Sequence, residues 1–194
     1  MFWSIYEQAG SSLSLFAERS THNSIFGFDF PASWFQSVPS IFVLILAPIF
    51  AWLWVKLGSH EPSSPAKFSM GLLFVGLGLL LLVPAAALAV TGVRVSPLWL
   101  TATYFIHTVG EMCLSPVGLS AMTKLAPERM AGFMMGAWFV SIGIGDYLAG
   151  KAASLYESVP LTVLFGGAAA LVIAGAIVLA LLVKPSVRLM GGVK

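Results

Sequence analysis

Residues 160–183, PLTVLFGGAAALVIAGAIVLALLV, run without one charged side chain. A helix needs about 20 mostly apolar residues to cross a bilayer, so this stretch is a span by length and composition alone. The rest of the chain obeys the same constraint. Only 9% of its 194 residues are charged, against roughly 25% in a soluble domain, too few to cover a surface that faces water. The solvent is therefore a lipid bilayer, and the fold class is an all-α, polytopic membrane protein.

Six transmembrane helices are expected, over about residues 2–18, 34–57, 68–92, 97–123, 131–154 and 160–183. The first is the poorest, short and rich in small polar residues. Ser33-Trp34-Phe35-Gln36 has the spacing of a capping box for the second. GSHEPSSPAK, with two prolines, reads as a loop. The loops and tail on one side carry Lys56, Lys67, Lys124, Arg129, Lys184, Arg188 and Lys194, and those on the other carry Arg19, Arg94 and Lys151. That imbalance puts both termini of the segment in the cytoplasm. Several function classes drop out. A net charge of +2 with no basic stripe does not suit nucleic acid, and the single Cys113 permits no intramolecular disulfide and reads as a buried thiol. No nucleophile–base pair or metal-spaced ligand set is present, so neither an enzyme nor a metal site is expected, and no cofactor is needed.

Ionisable groups inside a bilayer are costly and usually face a cavity or a partner. Glu7, Glu111 and Asp146 are such groups, with His107 a weaker fourth. Glu111 shares a helix face with Tyr104, His107, Ser115 and Gly118, and Pro116 leaves the carbonyl of Met112 without its usual donor, which favours a kink beside the acid. Trp3, Glu7, Gly10 or Ser11, and Ser14 form a second polar face, broadened by Gln8 and Ser12. A desolvated carboxyl with nearby partners can exchange its proton near neutral pH, as a proton-coupled process requires. Asp146 lies in GIGDYLAGK near Tyr147 and Lys151, either of which would solvate it. His107 reads more readily as a hydrogen-bonded interior histidine than as a relay. Gly132-x-x-x-Gly136 and Gly145-x-x-x-Ala149 are small-residue repeats that let helices approach closely.

The blocks FWSIYEQAGSSLSLFA, ASWFQS, LAPIFAWLW, SSPAKFSMGLLF, HTVGEMCLSPVGLSAMTKLAP and MMGAWFVSIGIGDYLAG occur in this order. Over residues 2–155 they resemble the second half of the proton-dependent oligopeptide transporters (the POT, or PTR, family), a branch of the major facilitator superfamily. The resemblance implies that residues 1–194 are a C-terminal six-helix bundle, partnered by an N-terminal six-helix bundle in a bacterial inner membrane. It implies di- and tripeptides and protons as ligands. Glu111 becomes the acid that receives the peptide amino terminus and shares in proton coupling, with Ser115, Trp3 and Trp138 at or near the pocket, and Glu7 the acid of proton coupling or of a salt bridge to the other bundle. Two departures stand out. Pro39 occupies the position of an asparagine that contacts the peptide backbone, and Asp146 replaces an expected asparagine, a possible extra titrating site. The first-helix Glu-x-x-Glu-Arg motif and the basic groups for the peptide carboxy terminus are not in this chain, and one bundle alone is not expected to transport. Two other readings remain: a proton-coupled carrier of another small solute such as nitrate, and a non-transporting membrane subunit whose polar stripes are interface glue.

Overall fold

A computed structural model describes residues 1–25 and 27–190; Lys194, used above for orientation, lies outside them. The first span is not one helix. It divides into α1 (Phe2–Tyr6), a 3-10 turn (Glu7–Gly10) and α2 (Ser12–Arg19), with Ser11 at φ −130°, ψ −99° between them. The cause is local chemistry. Side chains of Ser and Gln compete for backbone groups that a regular helix would use. Ser14 Oγ donates to the Ala9 carbonyl at 2.7 Å, Gln8 Nε2 to the Ser4 carbonyl at 3.3 Å, and Ser12 Oγ to Gln8 Oε1 at 2.7 Å.

A two-stranded hairpin, β1 (Ser24–Ile25) with β2 (Phe28–Asp29), leads to a 3-10 turn over Ala32–Ser37 and then α3 (Val38–Leu57). The capping box does not form. Pro31 precedes the 3-10 turn, Pro39 begins α3, and Gln36 Nε2 instead reaches Ser14 Oγ at 3.4 Å. Four longer helices follow: α4 (Ser64–Val90), α5 (Leu98–Leu125), α6 (Ala131–Ser154) and α7 (Leu161–Leu189). Part of the expected loop GSHEPSSPAK is the first turn of α4, because Pro65 at a first-turn position has no amide hydrogen to leave unpaired. Helix α7 continues past the expected end through Pro185. Among the described residues, segments 32–60, 64–90, 131–154 and 161–189 are long and apolar enough to cross a membrane. The chain is a multi-pass membrane protein.

Helix α4 is the centre of packing, lying against both α5 and α7. Glycine allows both close crossings. A Cβ on Gly71 would stand 3.0 Å from the Gly110 carbonyl oxygen of α5, and one on Gly76 would stand 2.5 Å from Ile173 of α7. Val75, Leu79, Leu82, Leu100, Phe165 and Val172 fill the core around these contacts. Alternate connections meet at one end: Arg19 pairs with Glu157 at 2.7 Å, and the Val95 backbone bonds to Ser20 and His22. At the opposite end the buried Lys67 ammonium pairs with Glu61 and lies 4.2 Å from the centre of the Trp54 ring. Of the two small-residue repeats only the second packs: Gly145 and Ala149 are buried, whereas Gly132 and Gly136 meet nothing, because α6 leans on α1 through its middle and not through its first turns.

His107 sits in a notch cut by Gly78. A Cβ there would stand 2.4 Å from the imidazole Cδ2. The imidazole Nε2 donates to the Val75 carbonyl at 3.1 Å; the carbonyl can only accept, so Nε2 carries the hydrogen. Gly78→Ala is therefore expected to displace the ring, break this bond and destabilise the protein by about 1–3 kcal/mol. Thermal unfolding in detergent checks it.

Candidate functional site

Glu111 lies mid-way along α5, half-buried, and accepts a hydrogen bond on Oε2 from the Tyr6 hydroxyl of α1. Both residues line a cavity of about 380 Å³ completed by Pro39, Ser40, Val43 and Leu44 of α3. Three helices thus supply one acid, one phenol and one proline to a common space. Tyr6 was not among the residues singled out from sequence; the break that follows it, which would have marked it, emerges only in the structure. Pro39, noted as a departure, faces the same cavity as the acid. A larger cavity of about 560 Å³ beside the hairpin, around Trp34 and Phe35, has no ionisable group in its lining.

Glu7 begins the 3-10 turn, where the first span loses its regular helix. Irregular backbone at membrane depth is tolerated where it is buried in protein or lines a cavity, so the break and the acid occur together. Helix α6 runs directly alongside. Gly145 abuts Trp3 and Ser4, and Ser11 Oγ donates to the Ala149 carbonyl at 3.4 Å. Between these two contacts Asp146 of α6 comes close to the Glu7 carboxyl, with Glu111 also near enough to add its charge.

The two tryptophans also meet. Trp138 of α6 is buried, its ring lying on Gly118 of α5, and its indole packs edge-on to Trp3 at 6.0 Å between ring centres. Trp3 packs edge-on to Tyr6 at 5.9 Å, which connects the tryptophan pair to the Glu111 partner. Ser115 is half-buried one turn below Glu111. Pro116 lies inside α5 and lines a separate cavity of about 220 Å³ with Lys67 and Trp54. The stripe expected on α5 therefore divides. Glu111 turns towards α1, Gly118 receives Trp138, and His107 is 2% exposed against α4, outside the cavity. Tyr104 is also buried, beside Phe35. Cys113 is buried, as expected.

The family profile PTR2, described as the POT family, matches residues 1–172. The chain is 41% identical, over 92% of its length, to the uncharacterized transporter YclF of Bacillus subtilis (strain 168), and 40% identical, over 97%, to the peptide transporter YePEPT of Yersinia enterocolitica subsp. palearctica. It spans 37% and 38% of the lengths of those two relatives. A crystal structure of a peptide transporter POT in complex with sulfate superposes on 98% of the chain with a TM-score of 0.88 at 37% identity, and the match covers 38% of that transporter. The chain belongs to the POT family.

Proposed function

We propose that the chain is the C-terminal six-helix bundle of a proton-coupled di- and tripeptide symporter, in which Glu111 receives the peptide amino terminus. The single observation that carries this reading is the Glu111 carboxylate in a three-helix cavity whose other lining residues are uncharged. An ammonium group leaving water needs an anionic acceptor, and a charge-assisted hydrogen bond is the strong kind. Among the described residues, no cation lines the cavity to hold an anion such as nitrate. Ser115 follows Glu111 by four residues on the same helix, and the Trp3–Trp138 pair joins the site through the Trp3 contact with Tyr6. Glu7 and Glu111 are the acids of proton coupling, and no cofactor beyond the proton takes part.

In this reading the broken first span and the five long helices make six crossings, both ends of the segment lie in the cytoplasm of a bacterial inner membrane, and an N-terminal bundle supplies the other half of the pocket. Alternating access then rocks one bundle against the other around the midplane site. Pro39 in the cavity supports a second reading, a different small cationic solute in place of a peptide, since a proline has no side-chain amide to hold a peptide backbone.

Grafting residues 1–194 into the Yersinia transporter, in place of the matched segment, tests both. Proton-driven uptake of a labelled dipeptide that unlabelled dipeptides compete away is the expected result; a correctly folded graft that takes up none would refute the peptide reading. In the same graft Glu7→Gln is expected to abolish proton-driven uptake while peptide-for-peptide exchange continues.

A further inference from the structure

The Glu111 carboxylate is held before any substrate arrives. The Tyr6 hydroxyl donates to Oε2, and no donor among the described residues reaches Oε1. A carboxylate has lone pairs on both oxygens, so it can keep one partner and take another. The phenol itself has little freedom. Its ring stacks on Phe2 at 5.6 Å with 16° between planes and meets Trp3 edge-on at 5.9 Å. Those contacts place it at the last residue of α1, immediately before the break at Glu7. A glutamate side chain left to itself would sample several rotamers, and binding would have to order it. Here a rigid aromatic cluster on one helix fixes an acid on another.

We propose that Tyr6 is a positioning residue for substrate recognition: it clamps Oε2 of Glu111 so that Oε1 is presented, pre-oriented, to a primary ammonium group entering the cavity beside Pro39 and Ser40. The inference rests on the peptide reading above. It adds a specificity consequence, because the oriented oxygen favours a charged amino terminus over a neutral, acylated one. Tyr6 acts through Glu111 and needs no covalent chemistry. Its placement next to Glu7 also links the clamp to the acid of the proton site, since a shift at the helix break moves the phenol.

The test uses the Yersinia graft, with labelled dipeptide uptake competed by the same dipeptide carrying either a free or an acetylated amino terminus. Loss of one hydrogen bond to a charged group is worth about tenfold in an equilibrium constant. Tyr6→Phe is therefore expected to raise KM for the free dipeptide about tenfold, leave the maximal rate within about twofold, and shrink the preference over the acetylated competitor by about tenfold. In a Glu111→Gln background, whose residual binding is read by competition, Tyr6→Phe is expected to change that preference no further. An unchanged KM in the single variant, or an equal second loss on top of Glu111→Gln, would overturn the proposal. If Glu111→Gln itself leaves uptake intact, the peptide-site reading fails, and the clamp with it. Should Tyr6→Phe not accumulate, 3-fluorotyrosine at position 6 keeps the ring contacts and strengthens the donor. It is then expected to lower KM, and a rise or no change would count against the clamp.

Discussion

Glu111→Gln is expected to reduce dipeptide uptake by at least about 100-fold while leaving the protein folded. The substitution keeps size and one oxygen, so the Tyr6 hydroxyl retains an acceptor, and α1 and α5 keep their contact. What it removes is the negative charge opposite the substrate ammonium. Truncating one partner of a desolvated, hydrogen-bonded charge pair costs about 2–5 kcal/mol, most of it the penalty of leaving the other charge unpaired. Among the described residues, no other acid lines the cavity to substitute. The measurement is initial-rate uptake in reconstituted graft, alongside size-exclusion profiles of parent and variant. Unchanged uptake would remove Glu111 from the substrate site.

Gly145→Val is expected to have the largest structural effect. A Cβ at this position would stand 2.3 Å from Trp3 Cβ, 2.8 Å from the Trp3 carbonyl carbon and 3.0 Å from the Ser4 nitrogen. Two of those atoms are backbone, so no rotamer change relieves the overlap, and α6 must separate from α1. Overpacking commonly costs about 1–3 kcal/mol, and a backbone clash falls at or above the top of that range. Separation would also pull Asp146 from Glu7 and Trp138 from Trp3, so uptake and folding should fail together. The readout is the monodisperse fraction and unfolding temperature in detergent. Gly143→Ala on the same helix is the control: a Cβ there meets nothing within 4 Å, and the variant should behave as the parent.

The approximate positions of the long helices were legible because the cost of charge in a bilayer is a local property of each segment. The same cost singled out Glu7, Glu111 and Asp146, which are expensive wherever they lie in an apolar run. Helical spacing, by contrast, grouped Tyr104 and His107 with Glu111, whereas both are buried outside the cavity that Glu111 lines, and His107 is the hydrogen-bonded interior histidine expected of it. Residues at such spacing share a face only to within tens of degrees, and α5 touches α4 on one side of that face and α1 on the other. Gly78 accepts His107 into the α4 contact, so the histidine is spent on packing. The capping box failed for a related reason: Pro31 and Pro39 impose their own turn, and Gln36 finds a better partner in Ser14.

What the sequence determined by itself was the solvent, the helical fold class, the acids that need an explanation, and, through its ordered motif blocks, the transporter family. Tertiary structure alone decided what those acids face. Tyr6 reaches Glu111 across 105 positions of chain, and Asp146 meets Glu7 because Gly145 and Ala149 let α6 lie against the broken first span. Such pairings depend on which helix faces come into contact and how closely their backbones approach. Periodicity along a single helix contains neither quantity.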